Sequence, residues 1–141
     1  VPRHLPYFLT LMQRFPEMRV VYDHCMKPQI RDAQTGKDAF SQWAEGMSAL
    51  AEQTSGVCKF SGLITETGEG WTIDDVRPFA DHVLSVFGAA RVMWGSDWPV
   101  CRLKGEYGDW HGLARQLTAG LSEPEREEVF GGTAARFYRL D

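Results

Sequence analysis

Two residues with chemistry in their side chains stand where short apolar runs give way to polar sequence. His24 follows Asp23 after residues 18–22 (MRVVY), and Asp97 follows Gly95-Ser96 after residues 91–94 (RVMW). An imidazole in such a place can bind a metal, polarise a carbonyl or hold a leaving group. Gly95 lets the backbone approach closely and Pro99 keeps Trp98 out of helical geometry, so the Asp97 carboxylate is held at a fixed turn. The structural alternatives are a histidine that caps a strand and an aspartate that accepts turn N–H groups. The apolar run before Asp97 would bury its carboxylate, which favours function. Trp98, beside Asp97, is placed to form a wall of a substrate pocket. Ser61 has no base beside it in sequence and no Gly-x-Ser-x-Gly setting, so it reads as a turn or hydrogen-bonding residue. Lys27 and Lys59 read as ion-paired structural lysines. His4, His82 and His111 read as surface residues, and the remaining tryptophans mostly as helix-face core.

The elements that must position these residues follow from periodicity. Leu5, Phe8, Leu9, Met12 and Phe15 recur at spacings of three and four, which predicts a helix, with Pro6 in its first turn and Pro16 as its stop. Residues 18–22 read as a buried strand. A loop over residues 29–37 leads to a second helix with Phe40, Trp43, Ala44, Met47, Leu50 and Ala51 on one face, closed by Gly56. A strand over residues 57–60 ends at Ser61-Gly62. The next helix carries Val76, Phe79, Ala80, Val83, Leu84 and Phe87, with Thr72 and Asp75 as a capping box and Gly88 as its stop. Pro78 suggests a later start for that helix. A third strand, residues 91–94, ends at Gly95-Ser96-Asp97. After it come a loop to Gly108, a helix with Trp110, Leu113 and Leu117, and a closing helical stretch. Ser122 and Glu125 form a capping box there, and Thr133 is expected to cap a last turn.

From His24 to Ser61 is 37 residues and from Ser61 to Asp97 is 36. Strand-helix units of this regular length predict an α/β fold with about three parallel strands and flanking helices. Continuous apolar strands agree, because a parallel sheet is buried on both faces. Polar residues at every strand's carboxyl end fit either a (β/α)8 barrel or a doubly wound sheet. No Gly-x-Gly-x-x-Gly or phosphate loop follows a strand, so a partial (β/α)8 barrel is preferred. A complete one takes ~250 residues.

The chain has 141 residues, 43% hydrophobic and 24% charged, with a net charge of −4. That is ordinary globular composition, and it offers no electrostatic footprint for nucleic acid or an anionic membrane surface. No apolar run approaches the ~20 residues that span a bilayer. Cys25, Cys58 and Cys101 include no Cys-x-x-Cys pair, which points to a reducing cytoplasm. The first residue is Val1 rather than methionine, and the chain is expected to be a piece of something longer.

Four blocks occur in order: Asp23-His24-Cys25-Met26-Lys27-Pro28, Lys59-Phe60-Ser61-Gly62-Leu63, residues 91–100 (RVMWGSDWPV) and residues 132–138 (GTAARFY). Over essentially the whole chain they resemble the carboxyl-terminal part of the amidohydrolase 2 family, in its L-fuconolactonase-like and 2-pyrone-4,6-dicarboxylate lactonase-like branch. The resemblance implies that residues 1–141 are the carboxyl-terminal portion of one distorted (β/α)8-barrel domain, with strands six to eight. It implies catalytic roles for His24 and Asp97, Asp97 activating the hydrolytic water. The family's His-x-His pair lies in a part that this sequence does not contain, and Thr133 stands where many relatives have Asn. The function implied is hydrolysis of a sugar lactone or similar small lactone, Asp97 acting as general base and His24 polarising the carbonyl. Members of this branch use either a divalent metal such as zinc, in which case Asp97 and His24 are its ligands here, or none. The alternatives are a metal-dependent decarboxylase of the same superfamily and an inactive half barrel. The isolated fragment is expected to self-associate through unpaired strand edges.

Overall fold

The computed structural model describes residues 4–140. Three parallel strands, β1 (Val21–Tyr22), β2 (Val57–Phe60) and β3 (Val92–Trp94), form one sheet in the order β1-β2-β3. Tyr22, Cys58 and Val92 occupy one row across it, and all three are fully buried. Lys59 and Met93 are partners in the next row. The α/β architecture expected from the spacing, three parallel strands with flanking helices as an arc of a barrel, is what the chain adopts.

Seven α-helical segments surround the sheet among the described residues: α1 (Leu5–Arg14), α2 (Ile30–Gln34), α3 (Ser41–Gln53), α4 (Ile73–Phe87), α5 (Tyr107–Leu117), α6 (Glu123–Glu127) and α7 (Thr133–Tyr138). The faces read from periodicity are the buried ones. Trp43, Ala44, Met47, Leu50 and Ala51 of α3 are covered, as are Val76, Phe79, Ala80, Val83 and Phe87 of α4. Each large apolar side chain buried this way contributes about 1.5–3 kcal/mol. Phe40, Trp43 and Phe79 bring their rings within 5.1–5.9 Å of one another, joining α3 and its approach to α4. No helix among the described residues is long and apolar enough to cross a membrane.

Several local expectations are corrected. The first strand is only two residues long, because the ladder begins where Val57 N–H donates to Val20 C=O; Met18 stays exposed. The loop over residues 29–37 contains α2, anchored by the fully buried Ile30. Pro78 does not delay α4. That helix starts at Ile73 behind the Thr72/Asp75 capping box and forgoes the single hydrogen bond that proline cannot donate. The loop does not run to Gly108; α5 begins at Tyr107 behind a further capping box of Glu106 and Asp109. Thr133 is not a cap. It sits in a helical run continuous from α6 through a π-turn (Glu128–Gly132), and its hydroxyl donates to Ala89 C=O at 3.1 Å.

Gly56 does not cap α3 either. The carbonyls at that helix end are met by the Arg91 guanidinium, which donates to Ala51 C=O at 2.6 Å and Thr54 C=O at 2.8 Å. Gly56 is glycine because a Cβ there would lie 2.6 Å from the ring of Tyr22. That ring is completely buried and its hydroxyl is 2.7 Å from Thr54 Oγ1, so it has nowhere to go. Gly56→Ala is therefore expected to destabilise the fold by about 1–3 kcal/mol, the usual cost of overpacking. Urea denaturation checks this, and an unchanged midpoint would show that the ring can yield.

Candidate functional site

Each strand ends in a polar residue, and the sheet order sets those residues side by side. His24 lies just past β1, Ser61 just past β2 and Asp97 three residues past β3. His24 Nδ1 is 2.8 Å from Ser61 Oγ, and Nε2 is 3.7 Å from Asp97 Oδ1. The side chain of His24 is 29% exposed and that of Asp97 14%, whereas Ser61 is fully buried. One nitrogen of the ring is thus tied into the protein and the other faces a carboxylate at the surface of the site. Gly62 separates the two: at φ +66°, a Cβ on it would lie 3.0 Å from both Asp97 Oδ2 and His24 Nδ1.

The backbone that presents His24 is unusual. His24, Cys25, Met26 and Lys27 all have φ between 48° and 59°, four successive non-glycine residues in left-handed geometry. The surroundings hold this turn in place. Lys27 N–H donates to His24 C=O at 2.7 Å, and the Trp43 indole N–H donates to Cys25 C=O at 2.8 Å in a buried setting. Lys27 pairs with Glu66, and Lys59 Nζ with Asp23 Oδ1 at 2.8 Å. Asp97 is also left-handed, at φ 55°, and its strand end is held by Trp110, whose indole N–H donates to Gly95 C=O at 2.8 Å. Asp97 C=O accepts the N–H of Cys101.

The two lysines are the ion-paired residues that the sequence suggested. Burial alone would depress the Lys59 ammonium, but hydrogen bonds with Asp23 and Tyr138 outweigh it and hold its pKa above that of an ordinary lysine. Cys25 and Cys58 are fully buried. Burial, with the neighbouring Cys25 thiol, pushes the Cys58 thiol well above its usual range, which makes it a poor nucleophile.

His82 and His111, read as surface residues, are half-buried and partnered. His82 Nε2 lies 3.1 Å from Ser48 Oγ and 3.0 Å from Ala44 C=O, bridging α4 to α3. The His111 ring packs against Trp94, Tyr107 and Phe130. Trp98 is 65% exposed beside Asp97, and its N–H donates to Ser96 Oγ at 3.2 Å.

Sequence reasoning missed the bond from Ser61 to His24. The signal for it was the repeat itself, since equal spacings place successive strand ends in one layer. It also missed Gly62, where a side chain would crowd both His24 and Asp97. Among the described residues no group of three or more His, Cys, Asp or Glu side chains is placed to hold a metal ion.

Comparison with known proteins matches the chain to one family. The sequence model of the family described as Amidohydrolase matches residues 1–140. The chain is 42% identical over 144 aligned positions to an L-fucono-1,5-lactonase of Burkholderia ambifaria, a match covering 99% of this chain and 48% of that protein. The chain spans about half the length of the curated relatives it matches. It superposes on a crystal structure of an amidohydrolase from Burkholderia multivorans with bound HEPES at a TM-score of 0.93, with 35% identity over 99% of this chain and 51% of that one. A second crystal structure of a Burkholderia multivorans amidohydrolase, with bound zinc, gives a TM-score of 0.92 and 35% identity over 99% and 50%.

Trp43→Phe tests the anchor of the left-handed turn. It keeps most of the buried ring and deletes the one N–H, leaving the carbonyl of the buried Cys25 without that donor. The expected loss of stability is about 1–3 kcal/mol, the cost of an unsatisfied buried polar group. Chemical denaturation measures it, and a loss near zero would mean that the turn holds without the indole.

Proposed function

Because the chain belongs to the amidohydrolase family, we propose that it forms the carboxyl-terminal portion of a single β/α-barrel domain that hydrolyses a sugar lactone or a similar small lactone. One observation carries this reading: His24 Nε2 and Asp97 Oδ1 face each other across 3.7 Å, from the ends of two strands that are not neighbours. A separation of that size lets one water, seated beside the pair, sit within hydrogen-bond reach of both. The L-fucono-1,5-lactonase from Burkholderia ambifaria supports the substrate class.

Asp97 acts as general base. It takes a proton from water as the water oxygen bonds to the lactone carbonyl carbon, then passes that proton to the ring oxygen as the acyl carbon–oxygen bond breaks. The product is the open hydroxy acid. His24 stabilises the negative charge that develops on the carbonyl oxygen. Gly62 keeps the space between them clear, and Trp98 forms an apolar wall for the substrate.

The donor types fit zinc, which takes imidazole nitrogen and carboxylate oxygen. His24 Nε2 and Asp97 Oδ1 would supply two of its ligands. Zinc held there would lower the pKa of water at the site to about 7 and so add to what Asp97 does as a base.

The full-length Asp97→Asn variant keeps the shape of the side chain and removes its basicity. Turnover of L-fucono-1,5-lactone is expected to fall by on the order of 10²–10⁴ with the melting temperature nearly unchanged. Base uptake without carbon dioxide release separates lactone hydrolysis from decarboxylation. Near-normal turnover would remove Asp97 from the mechanism, and a fall in zinc content alongside activity would add metal binding to its role.

Trp98→Ala separates a pocket wall from core. The exposed ring predicts a raised KM with little change in melting temperature. Collapse of stability with normal kinetics in the folded remainder would contradict that role.

A further inference from the structure

We propose that Ser61 is a positioning residue that fixes the tautomer of His24, its hydroxyl donating to Nδ1 so that the imidazole carries its proton on Nε2, facing Asp97. The inference deepens the lactonase reading and takes its catalytic meaning from it, while its structural content stands on the geometry of β1, β2 and β3.

The argument is one of hydrogen-bond accounting. Ser61 is fully buried, and His24 Nδ1, at 2.8 Å, is the one partner of its side chain among the described residues. A hydroxyl has one proton to give. If Nδ1 carried the ring proton, it would donate to Ser61 Oγ and leave the serine proton buried with no acceptor. That arrangement is disfavoured by roughly one to two orders of magnitude in population. If Nδ1 is bare, it accepts from Ser61, every polar atom of the pair is satisfied, and the ring proton sits on Nε2.

The rest of the site agrees with the second arrangement. Ser61 is fully buried, so a hydroxyl that turned away from His24 Nδ1 would give up its 2.8 Å bond without gaining solvent. On the far side of the ring, Nε2 lies 3.7 Å from Asp97 Oδ1, a place where a proton on Nε2 is attracted and a lone pair would be repelled.

This gives His24 a definite role. With its proton on Nε2 the ring is a neutral donor, able to hydrogen-bond the carbonyl oxygen of a substrate that comes to rest beside the pair. Ligation of zinc through Nε2 needs the opposite tautomer, with the proton moved to Nδ1 and the Ser61 hydroxyl stripped of its acceptor. Ser61 therefore biases the metal-free His24 towards hydrogen-bond donation from Nε2. Being fully buried, it acts through the ring.

The test is a two-bond proton–nitrogen NMR spectrum of the full-length protein labelled with ¹⁵N-histidine and freed of metal by a chelator, at a pH where His24 is neutral. The His24 signals are identified by their loss in His24→Gln. The wild type should show a protonated Nε2 and a bare Nδ1; a protonated Nδ1 would overturn the proposal. Ser61→Ala should raise the Nδ1–H share at least about tenfold, and kcat should fall by roughly 10–100-fold with little change in KM, the usual effect of removing a group that orients a histidine. An unchanged tautomer in folded Ser61→Ala would equally overturn it. Should that variant fail to fold, the near-isosteric Ser61→Cys, a weaker donor, is expected to give an intermediate tautomer population. Wild type with the Nε2–H tautomer but no lactone turnover would fault the lactonase reading alone. Turnover with the Nδ1–H tautomer would fault this inference alone.

Discussion

A left-handed turn of four consecutive non-glycine residues is the constraint around which the candidate site is arranged. Left-handed geometry costs roughly 1–2 kcal/mol per residue, so the turn from His24 to Lys27 carries a cost that reaches the lower end of the net stability of an ordinary domain. Such a conformation persists only where the surroundings over-determine it. Here they come from three directions: the indole of Trp43 on α3, Lys59 on β2 through Asp23, and Glu66 beyond β2 through Lys27. The buried cluster that seats Trp43 against Phe79 is thereby part of what aims the imidazole. Packing at the helix face and chemistry at the strand end are one problem in this molecule.

The layer above the sheet then assembles with little further help. Parallel register sets the three strand ends in a row, and the middle strand contributes Ser61, which binds the ring of His24. Ser61 is buried, Gly62 is bare, and His24 and Asp97 stand beside them. Asp97 sits on a left-handed residue of its own, so imidazole and carboxylate are both presented by backbone of sparsely populated geometry. The lysines keep the charge of this layer in balance: each is paired with an acid, and Lys59 holds its proton more tightly than a free lysine would.

The strand-helix grammar is legible in the sequence because it rests on periodicity and local chemistry. The apolar faces of α3 and α4, the capping boxes at Thr72 and Ser122, and the strand ends at His24, Ser61 and Asp97 all follow from which residues recur at which spacing. What is not legible depends on partners far away in the chain. Gly56 reads as a helix stop until the ring of Tyr22 is placed beside it, and Thr133 reads as a cap until Ala89, 44 residues earlier, takes its hydroxyl. His82 and His111 look like surface residues because each sits on a helix, and the neighbours that half-bury them cannot be counted from their own turn. The left-handed turn is hidden for a sharper reason. Asp-His-Cys-Met-Lys contains no glycine, so local preference argues against the conformation that tertiary contacts impose.

The strand ends that carry His24 and Asp97 share one construction detail. In each case a tryptophan from a helix later in the chain sends its indole N–H to a nearby carbonyl: Trp43 on α3 to Cys25, next to His24, and Trp110 on α5 to Gly95, two residues before Asp97. Indole protons exchange with solvent only when such a bond opens, and in a spectrum they stand apart from the backbone amides. Each half of the site therefore carries its own built-in gauge of local opening. If the unit bearing His24 loosens before the unit bearing Asp97, the Trp43 proton exchanges first, and the order in which the pair is dismantled can be followed without any added probe.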